Sequence, residues 1–116
     1  PRACASGSPG LDRMESRVLQ MTFGDAVQNT PGSAIKSMIG ETYSASGAMA
    51  LAAAVGAMRR SVIHPTINHQ NPDPLCALDI TTNAARSQPV RLAMNNAYAF
   101  GGNNASLILR KPEAAA

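Results

Sequence analysis

Residues 34–60 read AIKSMIGETYSASGAMALAAAVGAMRR: a short apolar run carrying one Lys, a Gly, and then a long segment of very small side chains. Ile35, Ser37 and Ile39 alternate with Lys36 and Met38, and this period of two predicts a strand. Gly40 lets the backbone turn sharply, which sets Glu41 at a strand-to-helix corner. Residues 42–58 contain no charged side chain, and Ala, Gly and Ser dominate. A helix apolar all round is buried on more than one side, and side chains this small let neighbouring backbones come close. A membrane span is the weaker reading, because it needs roughly 20 strongly apolar residues and Ala and Gly contribute little. The expectation is a buried Ala-rich central helix packed beneath a sheet.

The composition around this segment limits what else the chain holds. Its 116 residues allow one domain at most, and 45% hydrophobic residues suffice for a core. Aromatics are only 3%, namely Phe23, Tyr43, Tyr98 and Phe100. An Ala-rich helix covers little area per residue, so part of its burial is expected from polypeptide outside this chain. The net charge is +3, with Lys and Arg scattered singly and no basic run, which argues against nucleic acid as a partner. Cys4 and Cys76 lie far apart without metal-ligand spacing; no metal or cofactor is expected, and both read as buried thiols of a reducing, cytoplasmic compartment. The absence of a signal peptide and the start at Pro1 suggest a processed or cut chain.

Towards the N-terminus, residues 7–10 form a turn, and Asp12 followed by Glu15 resembles a capping box. Met14, Val18 and Met21 then mark one face of a helix over residues 12–23, which Gly24 stops. Residues 25–33 are a polar connection. Towards the C-terminus, Arg59 and Arg60 close the central helix, where cations suit its negative end. Residues 62–68, with Pro65 inside, read as an extended edge or short strand, and NPDP at 71–74 as a rigid turn. His64 and His69 in this connection read as exposed or structural.

Residues 75–88 look irregular, with a short strand possible at 78–80. Val90, Leu92 and Met94 mark a strand, and residues 105–109 another. The loop between them, 96–104, is longer than a hairpin needs. Phe100 with Gly101 and Gly102 is compatible with backbone brought close to a ligand, and equally with a glycine turn carrying a packed Phe. Residues 113–116 read as a frayed tail.

KSMIG at 36–40 ahead of the small-residue helix, VIHPTIN at 62–68, NPDP at 71–74 and FGGNNA at 100–105 together resemble the C-terminal part of a β-ketoacyl-(acyl carrier protein) synthase. The resemblance runs in order over nearly the whole chain. It implies an α/β architecture, the C-terminal portion of a thiolase-like α-β-α-β-α layered fold with a mixed sheet, here residues 1–112. Members of that family carry their nucleophilic Cys upstream, so neither Cys4 nor Cys76 corresponds to it, and two His residues from the C-terminal half face it. In this chain Ser6 and Glu41 occupy the positions of those two His. The corresponding pocket, built from Lys36, Gly40, Glu41, Phe100, Gly101 and Gly102, therefore reads as vestigial, and Phe100 as plain packing.

Decarboxylative condensation needs hydrogen-bond donors around the thioester oxygen as negative charge develops. A carboxylate at Glu41 only accepts. With both His lost, and with GSPGLDR at 7–13 and GETYS at 40–44, the chain resembles the chain-length factors of type II polyketide synthases, and the implied expectation is an inactive subunit, not itself an enzyme. Its implied partners are the N-terminal half of the same subunit, an active ketosynthase subunit and, through the complex, acyl carrier protein. The alternative is a divergent synthase that performs the condensation with groups from another chain.

Overall fold

A computed structural model describes residues 6–113 of the chain. Helix α1 spans Pro9–Phe23, with Ser8 at its N-cap and Pro9 and Gly10 in its first turn. A Pro at the first helical position loses no hydrogen bond, because that N–H has no partner within the helix. The helix thus starts three residues before the expected boundary, and the residues read as a turn open it. No capping box forms: Asp12 instead accepts the backbone N–H of Ser6 at 2.9 Å. Gly24 ends the helix as expected, at φ 53°, with its N–H on the Gln20 carbonyl.

The face of α1 turned inward differs from the expected one. Glu15, Ser16 and Leu19 are buried, whereas Met14, Val18 and Met21 are exposed together with Leu11. Among the described residues nothing covers that apolar stripe, so hydrophobic spacing identified the helix and misassigned its inner side.

Residues 35–39 are not a strand. Lys36–Ile39 form the short helix α2, closed by the Gly40 N–H on the Lys36 carbonyl at 2.9 Å. The Ser37 hydroxyl donates to the Ala34 carbonyl (2.8 Å) and accepts the Ile67 N–H (3.0 Å), a local bond that competes with strand pairing. The extended pairing falls earlier, at Gly32, which bridges Ile80 in parallel. Ile80 is the only part of the expected 78–80 strand that pairs. A 3-10 turn at Tyr43–Ala45 delays the central helix α3 to Ser46–Arg60, which Arg59 and Arg60 close. Its inner side is Ala54, Ala57 and Met58.

Two antiparallel pairs follow. Strands β1 (Val62–Ile63) and β2 (Arg86–Ser87) form a minimal ladder. Strands β3 (Leu92–Tyr98) and β4 (Asn104–Arg110) form the main hairpin, in register from Leu92 opposite Arg110 to Tyr98 opposite Asn104. Parallel pairing is confined to isolated bridges, Gly32 with Ile80 and Thr66 with Thr82, so the mixed character of the sheet is reduced to single contacts among the described residues. The hairpin also takes residues 96–98 and 104 of the expected 96–104 loop, leaving residues 99–103.

Successive strand residues point to opposite faces, and Asn95 and Asn96 accordingly reach different helices. Asn95 donates through Nδ2 to the Gly47 carbonyl at the start of α3 (3.2 Å). Asn96 turns the other way and meets Glu15 of α1 at 3.5 Å. Helix α3 packs against β3 and leaves Ala48, Met49, Ala52 and Val55 exposed among the described residues, so the expected central helix is not buried all round within this segment, and the tip of the hairpin lies over the α2 corner.

Candidate functional site

The corner after α2 is fixed by Glu41. Its Oε2 accepts the Lys36 ammonium at 2.6 Å, and its Oε1 accepts the Ser46 hydroxyl at 2.5 Å and the Tyr43 N–H at 3.1 Å. Gly40 makes the turn possible at φ 77°, ψ −177°, a backbone region closed to L side chains. The Lys36 ammonium first, and the Ser46 hydroxyl second, pull the Glu41 carboxyl down from 4.5 to about 2. Glu41 is therefore an anion at every physiological pH, an acceptor of hydrogen bonds and not a donor. The Lys36 side chain is only 13% exposed, so this pair anchors one wall of the space next to it.

That space is a cavity of about 510 Å³ between the corner and the hairpin tip. Ile35, Lys36, Ile39 and Tyr43 line one side, and Ala97 and Gly102 belong to the other. The structure thus brings the α2 corner and the 99–103 turn together. Of the expected pocket residues, Lys36 and Gly102 line the cavity, while Gly40, Glu41, Phe100 and Gly101 do not. Phe100 is 90% exposed, which overturns its reading as a packed side chain. Gly101 and Gly102 are needed for their backbone, at φ 78° and 79°; a Cβ at Gly102 would meet nothing within 4 Å. They do not mark a close approach of backbone to a neighbouring surface.

Ser6 lies elsewhere. It is exposed in the turn before α1, where its Oγ accepts the Ser8 N–H at 3.3 Å. That region opens on a second cavity, of about 370 Å³, bounded by Asp12, Glu15, His69 and Cys76. Ser6 and Glu41 are not gathered into one cavity. Cys4 lies outside the described residues. Cys76 is half-buried and unpaired, where burial was expected. His64 is structural: its Nδ1 meets the buried Ser33 hydroxyl at 2.7 Å, and that hydroxyl also contacts the His64 carbonyl. Among the described residues, no three His, Cys, Asp or Glu side chains are placed to hold a metal ion. No helix among them is long and apolar enough to cross a membrane.

Sequence reasoning missed two features. One is Tyr43, which takes a left-handed backbone (φ 47°) at the cavity wall. The other is a buried polar line through the hairpin, in which Ser106 Oγ donates to Asn96 Oδ1 at 2.7 Å and Asn96 Nδ2 faces Glu15 at 3.5 Å. Two consecutive Asn residues inside a strand pattern were the available signal, since a buried amide requires partners.

Known proteins resemble this chain in sequence and fold. The family described as "Beta-ketoacyl synthase, C-terminal domain" matches residues 2–70. The chain is 38% identical over 109 residues to a Rhizobium "Nodulation protein E" and to the "3-oxoacyl-(acyl-carrier-protein) synthase 2" of Coxiella burnetii, in each case over 94% of its own length. These matches cover 27% and 26% of the two relatives, so the chain spans about a quarter of their length. Among solved structures, the ishigamide ketosynthase/chain length factor superposes with a TM-score of 0.89 at 39% identity, covering 93% of this chain and 26% of that one. A type II polyketide synthase ketosynthase, solved with its acyl-carrier protein and bound to a hexaketide, superposes with a TM-score of 0.83 at 30% identity, over 85% of this chain and 24% of that one. The thiolase-like α/β fold is therefore established. The expectation of an inactive subunit that is not an enzyme is overturned, because the similar proteins include one named as a synthase over this same segment. By its fold, by the match over residues 2–70 and by these relatives, the chain belongs to the β-ketoacyl synthase family, of which it carries the C-terminal domain.

Proposed function

We propose that this chain is the C-terminal part of one subunit of a β-ketoacyl synthase that works in polyketide-type chain building, paired with a second ketosynthase subunit in the manner of a ketosynthase/chain length factor. The observation that carries the reading is the cavity of about 510 Å³ between the α2 corner and the hairpin tip, in a segment that superposes on such an assembly with a TM-score of 0.89. Its wall includes Ile35, Ile39, Ala50 and Ala97, a lining suited to an acyl chain. In the condensation, a malonyl thioester loses CO2 and its carbanion attacks the carbonyl carbon of an acyl thioester, forming a carbon-carbon bond as the acyl carbon-sulfur bond breaks and the thiolate leaves. The oxygen that becomes negative requires donors. Glu41, ionised and saturated by Lys36, Ser46 and the Tyr43 N–H, supplies none. The donors and the nucleophile therefore come from polypeptide beyond these residues, including the paired subunit. This segment holds and shapes the acyl chain, and acyl carrier protein delivers it.

The test is reconstitution of the full-length subunit with its paired ketosynthase, given malonyl-loaded carrier protein. The wild-type pair is expected to form the new carbon-carbon bond, and replacing the nucleophilic Cys of the assembly by Ala is expected to abolish it. A pair that forms no condensation product, or one that keeps its activity without that Cys, overturns the proposal.

A further inference from the structure

Among the described residues, four non-glycine residues take positive φ: Tyr43, Ser61, Asn68 and Asn83. Three have local reasons. Ser61 is the C-cap of α3, and Asn tolerates the left-handed region better than other side chains do. Tyr43 has none: it is bulky, it sits in a 3-10 turn, and it is 73% exposed, so packing does not explain it either. An outlier of this kind persists when its surroundings over-determine it. Here the surroundings are identifiable. The Tyr43 N–H is held by Glu41 Oε1, and the same carboxylate is held by Lys36 and Ser46. Thr42 and Ser46, which flank the turn, are joined by their hydroxyls at 3.1 Å. Tyr43 also lines the 510 Å³ cavity.

We propose that Tyr43 is a specificity-determining residue for the length of the acyl chain this cavity accepts, and that Glu41 is the residue that positions it. The inference rests on the reading of the cavity as an acyl pocket. Glu41 then has a defined task. The carboxylate, neutralised by the largely buried Lys36, clamps the turn so that a large aromatic stands at the cavity wall in a conformation the chain would otherwise leave. Removing the ring lengthens the space open to substrate. Loosening the clamp lets the turn relax and moves the ring from its place.

The experiment uses the full-length subunit with its paired ketosynthase, malonyl-loaded carrier protein and straight-chain acyl primers of graded length. The readout is the ratio of extension of the longest primer to that of the shortest, with assembly checked by size-exclusion chromatography. Tyr43→Ala is expected to raise that ratio by about tenfold, the scale on which a pocket discriminates by chain size. Tyr43→Phe keeps the ring and should keep the wild-type ratio, and Glu41→Gln should shift it in the same direction as Tyr43→Ala. If Tyr43→Ala does not assemble, Tyr43→Asn, small and tolerant of left-handed backbone, repeats the measurement. An unchanged ratio in an assembled small variant overturns the inference, as does a Tyr43→Phe shift equal to that of Tyr43→Ala. A wild-type pair that extends no primer removes the acyl-pocket reading itself; a wild-type pair that extends them with the ratio insensitive to Tyr43 removes only this inference.

Discussion

Glu41 carries a charge that the surrounding residues have made nearly impossible to remove. Its carboxyl is lowered to about 2, chiefly by Lys36. A carboxyl depressed in the folded state stabilises the fold above its unfolded value, and that contribution is lost as pH falls through the folded one. The corner is therefore expected to stay closed as pH is lowered through the ordinary carboxyl range and to open near pH 2; a carbon-detected NMR titration of the Glu41 carboxyl with a midpoint near 4.5 would contradict this. A second residue-scale prediction concerns Glu15, taken from the sequence as half of a helix cap. It is 3% exposed and faces Asn96, itself 6% exposed. Truncation by Glu15→Ala leaves a buried amide short of an acceptor, and should cost about 1–3 kcal/mol in denaturant unfolding of the full-length subunit. A change within error of zero would mean that the Asn96 amide finds another partner.

Among the elements, the corner between α2 and α3 depends on the backbone of one residue. Gly40 at φ 77°, ψ −177° occupies a region open to glycine alone, yet a Cβ there would touch nothing within 4 Å. Gly40→Ala should therefore lower stability by about 1–3 kcal/mol purely through backbone strain. Equal thermal midpoints for Gly40→Ala and wild type would show that the turn adopts another conformation. The hairpin is organised differently. Its two strands are joined by residues 99–103 and hold their register along seven facing pairs, so its tip is delivered to the cavity by the ladder and not by the glycines. Outer residues of β4 remain exposed, Ile108 at 70% and Leu107 at 51%. Apolar side chains at such positions bury little area within this segment and are where it is least stable.

For the molecule as a whole, the buried apolar set among the described residues is small: Leu19, Val27, Ala34, Ala54, Ala57, Met58 and Ile63, of which three are Ala. Against it stand exposed Leu11, Met14, Val18, Met21, Leu75, Leu92 and Ile108. A core this thin leaves little surplus over the conformational entropy of ordering the chain. The isolated 116-residue chain is expected to melt without a sharp transition and to bind a hydrophobic dye, while the full-length subunit melts cooperatively. A steep two-state melt of the isolated chain would show that the segment is autonomous.

The local chemistry of the sequence determined the glycine corner, the ends of α3 at Arg59 and Arg60, the stop of α1 at Gly24, and the family to which KSMIG and FGGNNA belong, because each depends on neighbours within a few residues. Periodicity also located α1 but not its inner face, since a helix with apolar residues on one side and Glu15 on the other turns towards whatever it packs against, and here that is Asn96, 81 residues away. The same limit explains residues 35–39. A run of five alternating residues fits one helical turn as well as a strand, and the choice was made by Ser37, whose hydroxyl bonds Ala34 locally and Ile67 from a distant segment. Only the tertiary structure set the hairpin tip against the corner, exposed Phe100, separated Ser6 from Glu41 and put Tyr43 under tension at the cavity. The placing of the tip and of Ser6 depends on segments far apart in the chain, and the Tyr43 turn on a side-chain network around Glu41 whose geometry no periodicity encodes.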